Sequence, residues 1–304
     1  MMLRTILFFL FIQIPLLGTA QHLELPLWGD NIPNYQETDE EEIRVQEGVL
    51  KIRNVKKPGV EVFLPSEKLR NGQAVIVCPG GGYAIMNWDW EGTDIAKWLN
   101  SQGIVAIVLK YRLPRSKSNI VSYKSPILDA QRAVRLTRHH ANAWGVDSTR
   151  IGIIGFSAGG HVAATLAVHY NEKYAEPTDN IDLLSARPDF SVLVYPVITF
   201  KDDFTDPNSR KRLLNDNLDE KLIEHFSTEL HVTAETPAAF IMHSTDDTGV
   251  PVQNSLKYYE ALVNNKVEAE MHLYPIGWHG YALARDNPYL STWTERLKAW
   301  LQRY

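Results

Sequence analysis

The segment Gly155-Phe156-Ser157-Ala158-Gly159 sets a hydroxyl among small residues, directly after the run Arg150–Ile154 and directly before an alanine-rich stretch, His161 to Tyr170. In a strand–turn–helix setting this is a nucleophile elbow, a turn too tight for bulky neighbours that lifts the serine above a sheet. The N–H of Ala158, at a helix N-terminus, can donate to an oxyanion. A serine hydroxyl is nearly inert at neutral pH unless a base takes its proton. The chain has 10 histidines. His139 and His140 fall on an expected helix, His169 at a helix end and His272 inside a strand. His279 differs, lying in the loop Tyr274-Pro275-Ile276-Gly277-Trp278-His279-Gly280 after the last expected strand, where glycines on both sides permit close approach to Ser157. The base in turn needs a carboxylate to hold its tautomer and to stabilise the imidazolium that forms. The loop His243-Ser244-Thr245-Asp246-Asp247-Thr248-Gly249-Val250-Pro251 offers two. Asp247 is the expected partner, because it lies deeper in the loop, before the proline that starts the next helix; Asp246 is the alternative.

A second donor for the oxyanion is expected from Cys78-Pro79-Gly80-Gly81-Gly82-Tyr83, which follows the strand Ala74–Val77. Without Cβ atoms the backbone there can turn its N–H groups inward, so Gly81 or Gly82 should complete the hole with Ala158. Cys78 ends an apolar strand with no histidine near it in sequence, which predicts a buried, inert thiol. Four aromatics in loops beside these positions, Tyr83, Trp88, Trp90 and Trp278, are expected to contact substrate, since aromatic faces suit the apolar faces of sugar rings.

These residues need a scaffold that brings distant loops to one rim. Apolar runs bounded by turn residues recur at Ala74–Cys78, Ile104–Leu109, Ile151–Ile154, Ser191–Tyr195, Ala238–Met242 and Glu270–Tyr274, with amphipathic stretches between most of them. Continuous apolarity marks strands covered on both faces, as in a parallel sheet between helices. Ile127, Ala130, Ala133, Val134 and Thr137 recur at helical spacing after Ser125-Pro126, and Leu290, Trp293, Leu297, Trp300 and Leu301 share one face of a C-terminal helix. The expectation is a single α/β domain over residues 21–304, mostly parallel. Val49–Ile52 and Val60–Leu64 are expected to form an N-terminal antiparallel hairpin behind a surface tail.

Composition bounds the function. With 304 residues, 44% of them hydrophobic and 22% charged, the chain buries ample core. A net charge of −5 and the lack of a dense Lys/Arg block argue against nucleic acid as a partner. One cysteine excludes intramolecular disulfides and Cys-based zinc sites. Residues 1–20 carry Arg4, an apolar run from Ile6 to Leu17 and the small residues Gly18, Thr19 and Ala20, the layout of a secretory signal peptide cleaved after Ala20. Export to the periplasm or beyond is therefore expected, with no membrane contact after cleavage. The connection Val197 to Thr236 reads as an insertion near the site. It carries Asp202, Asp203, Asp206, Lys211, Arg212, Asp216, Asp219 and Glu220, too charged for a lipase lid that must meet an oil surface.

Together the PGGGY string at Pro79–Tyr83, Trp90-Glu91-Gly92, Leu109-Lys110-Tyr111-Arg112-Leu113-Pro114, GFSAGGH at Gly155–His161, the Asp247 loop and Gly277–Gly280 resemble the esterase/lipase branch of the α/β-hydrolases. Within it they are similar to bacterial acetylxylan esterase-like carbohydrate esterases. The chain order Ser157, Asp247, His279 agrees with that fold. Pro79 stands where lipase relatives carry histidine, which moves the likeness away from lipases. The resemblance implies a serine esterase acting on an acylated carbohydrate, needing no metal or organic cofactor. A feruloyl esterase or peptidase on the same scaffold and a non-catalytic binding module are the alternatives.

Overall fold

The computed structural model describes residues 22–201, 203–217 and 219–304, so the expected signal segment lies outside the described residues. In chain order the strands and helices are His22–Pro26 (β1), Ile43–Glu47 (β2), Val49–Arg53 (β3), Gly59–Phe63 (β4), Ala74–Cys78 (β5), Met86–Asn87 (β6), Asp94–Ser101 (α1), Val105–Lys110 (β7), Lys124–Trp144 (α2), Ile151–Phe156 (β8), Ala158–His169 (α3), Phe190–Val194 (β9), Pro207–Leu213 (α4), Glu220–His225 (α5), Ala238–Ser244 (β10), Gln253–Asn264 (α6), Ala269–Tyr274 (β11) and Trp293–Leu301 (α7).

Among the described residues the main sheet has eight strands in the order β1-β4-β7-β5-β8-β9-β10-β11. From β7 to β11 every pairing is parallel. All residues of β5, β8 and β9 are buried, as their largely apolar sequences require of strands with helices on both faces. Parallel pairing has a direct consequence for chemistry. The C-terminal ends of β5, β8, β10 and β11 all open on one rim, so the glycine turn, Ser157, the Asp247 loop and the His279 loop gather there although they are far apart in sequence.

Helix α3 is buried from Ala158 through Ala167, which its small residues make possible. A Cβ on Gly159 would sit 2.1 Å from the Cys78 carbonyl oxygen, so the helix start and the end of β5 are in backbone contact. Helix α2 ends on Gly145, whose left-handed φ of 66° lets its N–H return to the Ala141 and Asn142 carbonyls. The expected C-terminal face is buried: Leu290, Trp293, Leu297, Trp300 and Leu301 all belong to the core. Below the rim, Arg112 and Asp129 form a fully buried ion pair at 2.8 Å. Arg112 also donates to the Pro33 carbonyl and Trp28 to Asp129, which pins the N-terminal segment to α2.

The N-terminal region corrects the sequence reading in its pairing. An antiparallel hairpin is present, but it joins β2 to β3, with β6 as third strand of a small separate sheet. Residues 60–63 of the segment expected as the second arm lie in β4 and pair with β1 and β7 in the main sheet. The expected surface tail likewise contains β1, an edge strand whose alternating exposed and half-buried residues hid it from a search for buried runs. The segment 197–236, expected as an insertion, connects β9 to β10 and carries α4 and α5. It is packed on α3: His161 donates from Nε2 to the Phe226 carbonyl at 2.8 Å, and His169 does the same to the His225 carbonyl at 3.0 Å.

Candidate active site

Ser157 follows β8 at once and caps α3, with φ 53° and ψ −120°. A non-glycine residue held at positive φ stores strain on the order of 1–3 kcal/mol. Surrounding backbone bonds hold it there. Its N–H donates to the Val194 carbonyl, and its carbonyl accepts from His161 and Val197, each at 3.1 Å.

His279 reaches the serine from the opposite side of the rim. Its Nε2 lies 2.8 Å from Ser157 Oγ and its Nδ1 2.6 Å from Asp247 Oδ2. An imidazole facing a carboxylate on Nδ1 carries its proton there, leaving Nε2 as acceptor for the hydroxyl. Asp247 is anchored more firmly than one histidine requires. Oδ1 accepts from the N–H groups of Gly249 at 2.9 Å and Val250 at 2.8 Å, and Oδ2 also faces His243 Nε2 at 3.2 Å. His243 Nε2 also faces the Val250 carbonyl, and two acceptors on one nitrogen place its proton there; Nδ1 then accepts from Ser255. Burial works against a charge on Asp247, but hydrogen bonds from His243 and His279, the field of His279 and the Val250 N–H outweigh it and hold the carboxyl at about 2. Asp246 faces the other way. Its Oδ1 accepts from the N–H groups of Gly277 and Trp278, both at 2.9 Å, and so holds the loop that presents His279.

The glycine turn faces Ser157. A Cβ on Gly80 would stand 3.0 Å from Ser157 Cβ, and Gly81 and Gly82 have φ of 134° and 59°. The Gly80 N–H is taken by Glu91 Oε2 at 3.0 Å. Gly81, Gly82, Ser157 and His279 line one cleft of about 360 Å³, and Ala158 begins α3 beside it, where the first N–H groups of a helix have no intrahelical partner. The arrangement can take a proton from a hydroxyl and set it against a carbonyl carbon.

Residues 60–262 match the BD-FAE family. The chain belongs to that family. The acetylxylan esterase of Xylanibacter ruminicola is 33% identical over 244 residues, which are 79% of this chain and 47% of that protein. Endo-1,4-beta-xylanase B of Butyrivibrio fibrisolvens is 34% identical over 237 residues, 78% of this chain and 36% of the relative. This BD-FAE chain thus spans less than half the length of either. Among solved structures, the acetyl ester-xyloside bifunctional hydrolase of Caldicellulosiruptor lactoaceticus matches with TM-score 0.79 and 34% identity, covering 92% of this chain and 96% of that one. MGS-M1, an α/β-hydrolase from a Medee basin deep-sea metagenome library, matches with TM-score 0.60 and 25% identity over 86% of this chain and 97% of that one. The fold is that of the α/β-hydrolases.

Within this BD-FAE site the four aromatics separate. Tyr83 and Trp88 are corrections: their rings are buried and cannot stack on a sugar. The Tyr83 hydroxyl donates to His161 Nδ1 at 2.8 Å, tying the glycine turn to α3. Trp88 lines a different cavity with Leu25 and Lys110. Trp90 is half-buried and donates from its indole to the Gly280 carbonyl at 2.8 Å, so it supports the His279 loop. Trp278 is 67% exposed beside His279. Cys78 is buried, and burial pushes its thiol pKa up, as expected of an inert position.

Besides His243, three further residues of the site escaped the sequence reading. Glu91 is buried under the glycine turn, where it accepts from Gly80, from Asn87 at 3.2 Å and from the Tyr195 hydroxyl at 2.8 Å. Burial raises its pKa against the pull of those bonds. Tyr195 in turn accepts from the Ala282 N–H at 3.0 Å and sets its ring edge-on to His279, 4.9 Å between centroids. Glu91 and Tyr195 thereby join the glycine turn to the histidine loop. The third is Arg212, which lines the cleft from α4. Glu91 lay in plain sight beside Trp90 and Gly92, but a single carboxylate between strands carries no spacing signal.

Proposed function

We propose that this protein is a serine esterase that removes acetyl or other small acyl groups from a carbohydrate through an acyl-enzyme. The observation that carries the reading is the relay in which His279 lies 2.8 Å from Ser157 and 2.6 Å from Asp247. In it, His279 Nε2 takes the Ser157 proton as Oγ attacks the ester carbonyl, and Asp247 stabilises the imidazolium. The N–H groups of Ala158 and of Gly81 or Gly82 receive the oxyanion, each worth on the order of 10²–10³ in turnover. His279 then protonates the departing sugar oxygen. Water, deprotonated by the same imidazole, attacks the acyl-serine, and His279 returns the proton to Ser157 Oγ as the acyl–oxygen bond breaks and the acid leaves. Side chains, backbone and water suffice for every step.

Two features support a small acyl group on a soluble carbohydrate. The cleft is modest, and the insertion beside it is polar, with Lys211 and Asp216 exposed and paired at 3.3 Å. The names of the matched relatives, an acetylxylan esterase and a xylanase, point to xylan. The reading includes one catalytic domain over residues 21–304, exported by the signal segment at 1–20; among the described residues no helix is long and apolar enough to cross a membrane. N-terminal sequencing of the secreted protein should begin at Gln21.

The test is hydrolysis of an aryl acetate by the wild type beside Ser157→Ala, followed by acetate release from acetylated xylo-oligosaccharides against ferulate release from feruloylated ones. Turnover that vanishes with the hydroxyl, and a preference for acetyl, support the reading. No wild-type turnover would leave a binding module, and a feruloyl preference would move the activity to that ester class.

A further inference from the structure

Helix α4 brings one cation into the cleft over Ser157. Asp206 caps this helix: its carboxylate accepts from the N–H groups of Asn208 at 3.1 Å and Ser209 at 3.2 Å, and from the Ser209 hydroxyl. Glu91, the other acid lining the cleft, is occupied by Gly80, Asn87 and Tyr195. Both acids therefore have their oxygens engaged by internal donors. Arg212, on the last turn of α4, is placed differently. Its Nη1 donates to the Gly82 carbonyl at 2.9 Å, and a Cβ on Gly82 would stand 2.8 Å from that nitrogen. Among the described residues this is its one hydrogen bond, and it makes no ion pair with them. A guanidinium has a rigid fork of five N–H donors and stays charged at any working pH. The bond to Gly82 fixes that fork beside the glycine turn and leaves the donors on Nε and Nη2 for a guest in the cleft.

We propose that Arg212 is a specificity-determining residue that selects esters whose substrate carries a carboxylate near the scissile bond. The inference rests on the serine esterase reading above. A carboxylate matches the fork in shape and charge, and a pre-positioned guanidinium loses little freedom in binding it. The carboxylate has two possible sources, a uronate on the sugar or the free end of a dicarboxylic acyl group.

The experiment measures kcat/KM in two matched pairs, each in wild type, Arg212→Gln and Arg212→Lys. One pair is an acetylated xylo-oligosaccharide with and without a uronic acid branch; the other is an aryl hemisuccinate and the corresponding aryl butanoate. Ratios within each variant cancel any loss of active protein. At least one wild-type ratio should favour the acid by about ten-fold, the scale of a charge-assisted hydrogen bond. Arg212→Gln should bring that ratio close to one, and Arg212→Lys should restore part of it. The pair that responds identifies the source. Wild-type ratios at or below one in both pairs overturn the proposal, as does a ratio that Arg212→Gln leaves unchanged. Equal losses on acid and neutral esters would mean that Arg212 only holds the glycine turn, which also overturns it. Aryl acetate turnover in the same preparations keeps these failures distinct from failure of the esterase reading.

Discussion

The two walls of the cleft are built differently. On one side, Ser157 and the glycine turn stand on β5, β8 and α3, which are buried along nearly their whole length and touch backbone to backbone at Gly159 and Cys78. On the other, the insertion and the His279 loop present Arg212, Asp206 and the exposed ring of Trp278, and α5 has no buried residue. The contrast follows from what each wall must do. A serine held at positive φ keeps its place only in surroundings that leave it no alternative. A recognition surface needs reach and polarity, which come from loops. His279 belongs to the second wall by sequence and to the first by geometry, and Asp246, Ser244, Trp90 and Tyr195 make the difference. Asp246 holds the loop N–H groups, Ser244 donates to the Trp278 carbonyl at 2.6 Å, and Trp90 and Tyr195 bond the loop just beyond.

The largest effect should come from separating the two neighbouring acids. Asp247→Asn keeps the shape but can no longer hold the His279 tautomer, and kcat should fall on the order of 10⁴-fold. Asp246→Asn keeps an amide oxygen that can still accept from Gly277 and Trp278, so kcat should stay within about ten-fold of wild type. Steady-state kinetics on an aryl acetate checks both. Comparable losses would erase the distinction between a group in the relay and a group that holds its loop.

That pair also shows where the sequence was informative. Ser157, His279 and Asp247 were legible because an elbow, a loop after the last strand and an acid after the preceding one each carry a local pattern. The parallel core was legible for the same reason: β5, β8 and β10 are unbroken apolar runs. Glu91, His243 and Tyr195 were not, since their roles arise only when the ends of β5, β8, β9 and β10 meet along one sheet. The pairing of β1 with β4 was hidden too. Both are half-buried edge or near-edge strands, and nothing in Val49–Ile52 states that its partner lies before it rather than after.

Next in size is a stability effect confined to the rigid wall. Gly159→Ala would drive a methyl group to 2.1 Å from the Cys78 carbonyl oxygen, and backbone cannot yield as a side-chain tip can. Urea unfolding should show a loss of about 1–3 kcal/mol, the scale of overpacking in a tight core. A substitution on the other wall, Lys211→Ala, removes only an exposed ion pair with Asp216 and should stay within about 0.5 kcal/mol. If the two variants unfold alike, the walls are not mechanically distinct.

A pH dependence sharpens the seam between them. His161 joins α3 to Tyr83 and to the insertion through Phe226, and burial lowers its pKa to about 4 from an unfolded 6.5. Above 6.5 both states are neutral there and His161 adds no pH dependence. Between 6.5 and 4 the unfolded chain takes up a proton that the folded one refuses, so stability falls as the pH drops through that window. Glu91, raised by burial above its unfolded 4.5, works in the opposite sense. The contribution of His161 is therefore read as a difference: the urea midpoint should drop more between pH 7.5 and pH 5 in wild type than in His161→Gln. Equal drops would show that this histidine does not titrate between folded and unfolded chains.

The smallest effect concerns recognition. Trp278 stands at φ 58° with its ring two-thirds in solvent, an arrangement that contributes little to the core. Its backbone is nevertheless held at both ends of the peptide, by Asp246 on the N–H and Ser244 on the carbonyl. An aromatic ring that is exposed but rigidly mounted beside His279 would lose little freedom if a sugar ring stacked on it. Trp278→Ala should raise KM for an acetylated xylo-oligosaccharide by about 3–10-fold relative to its effect on an aryl acetate, the scale of one aromatic contact, while Tm moves by no more than about 2 °C. A KM that rises equally for both substrates would assign the ring to the general shape of the cleft. No change in either would remove Trp278 from polymer recognition.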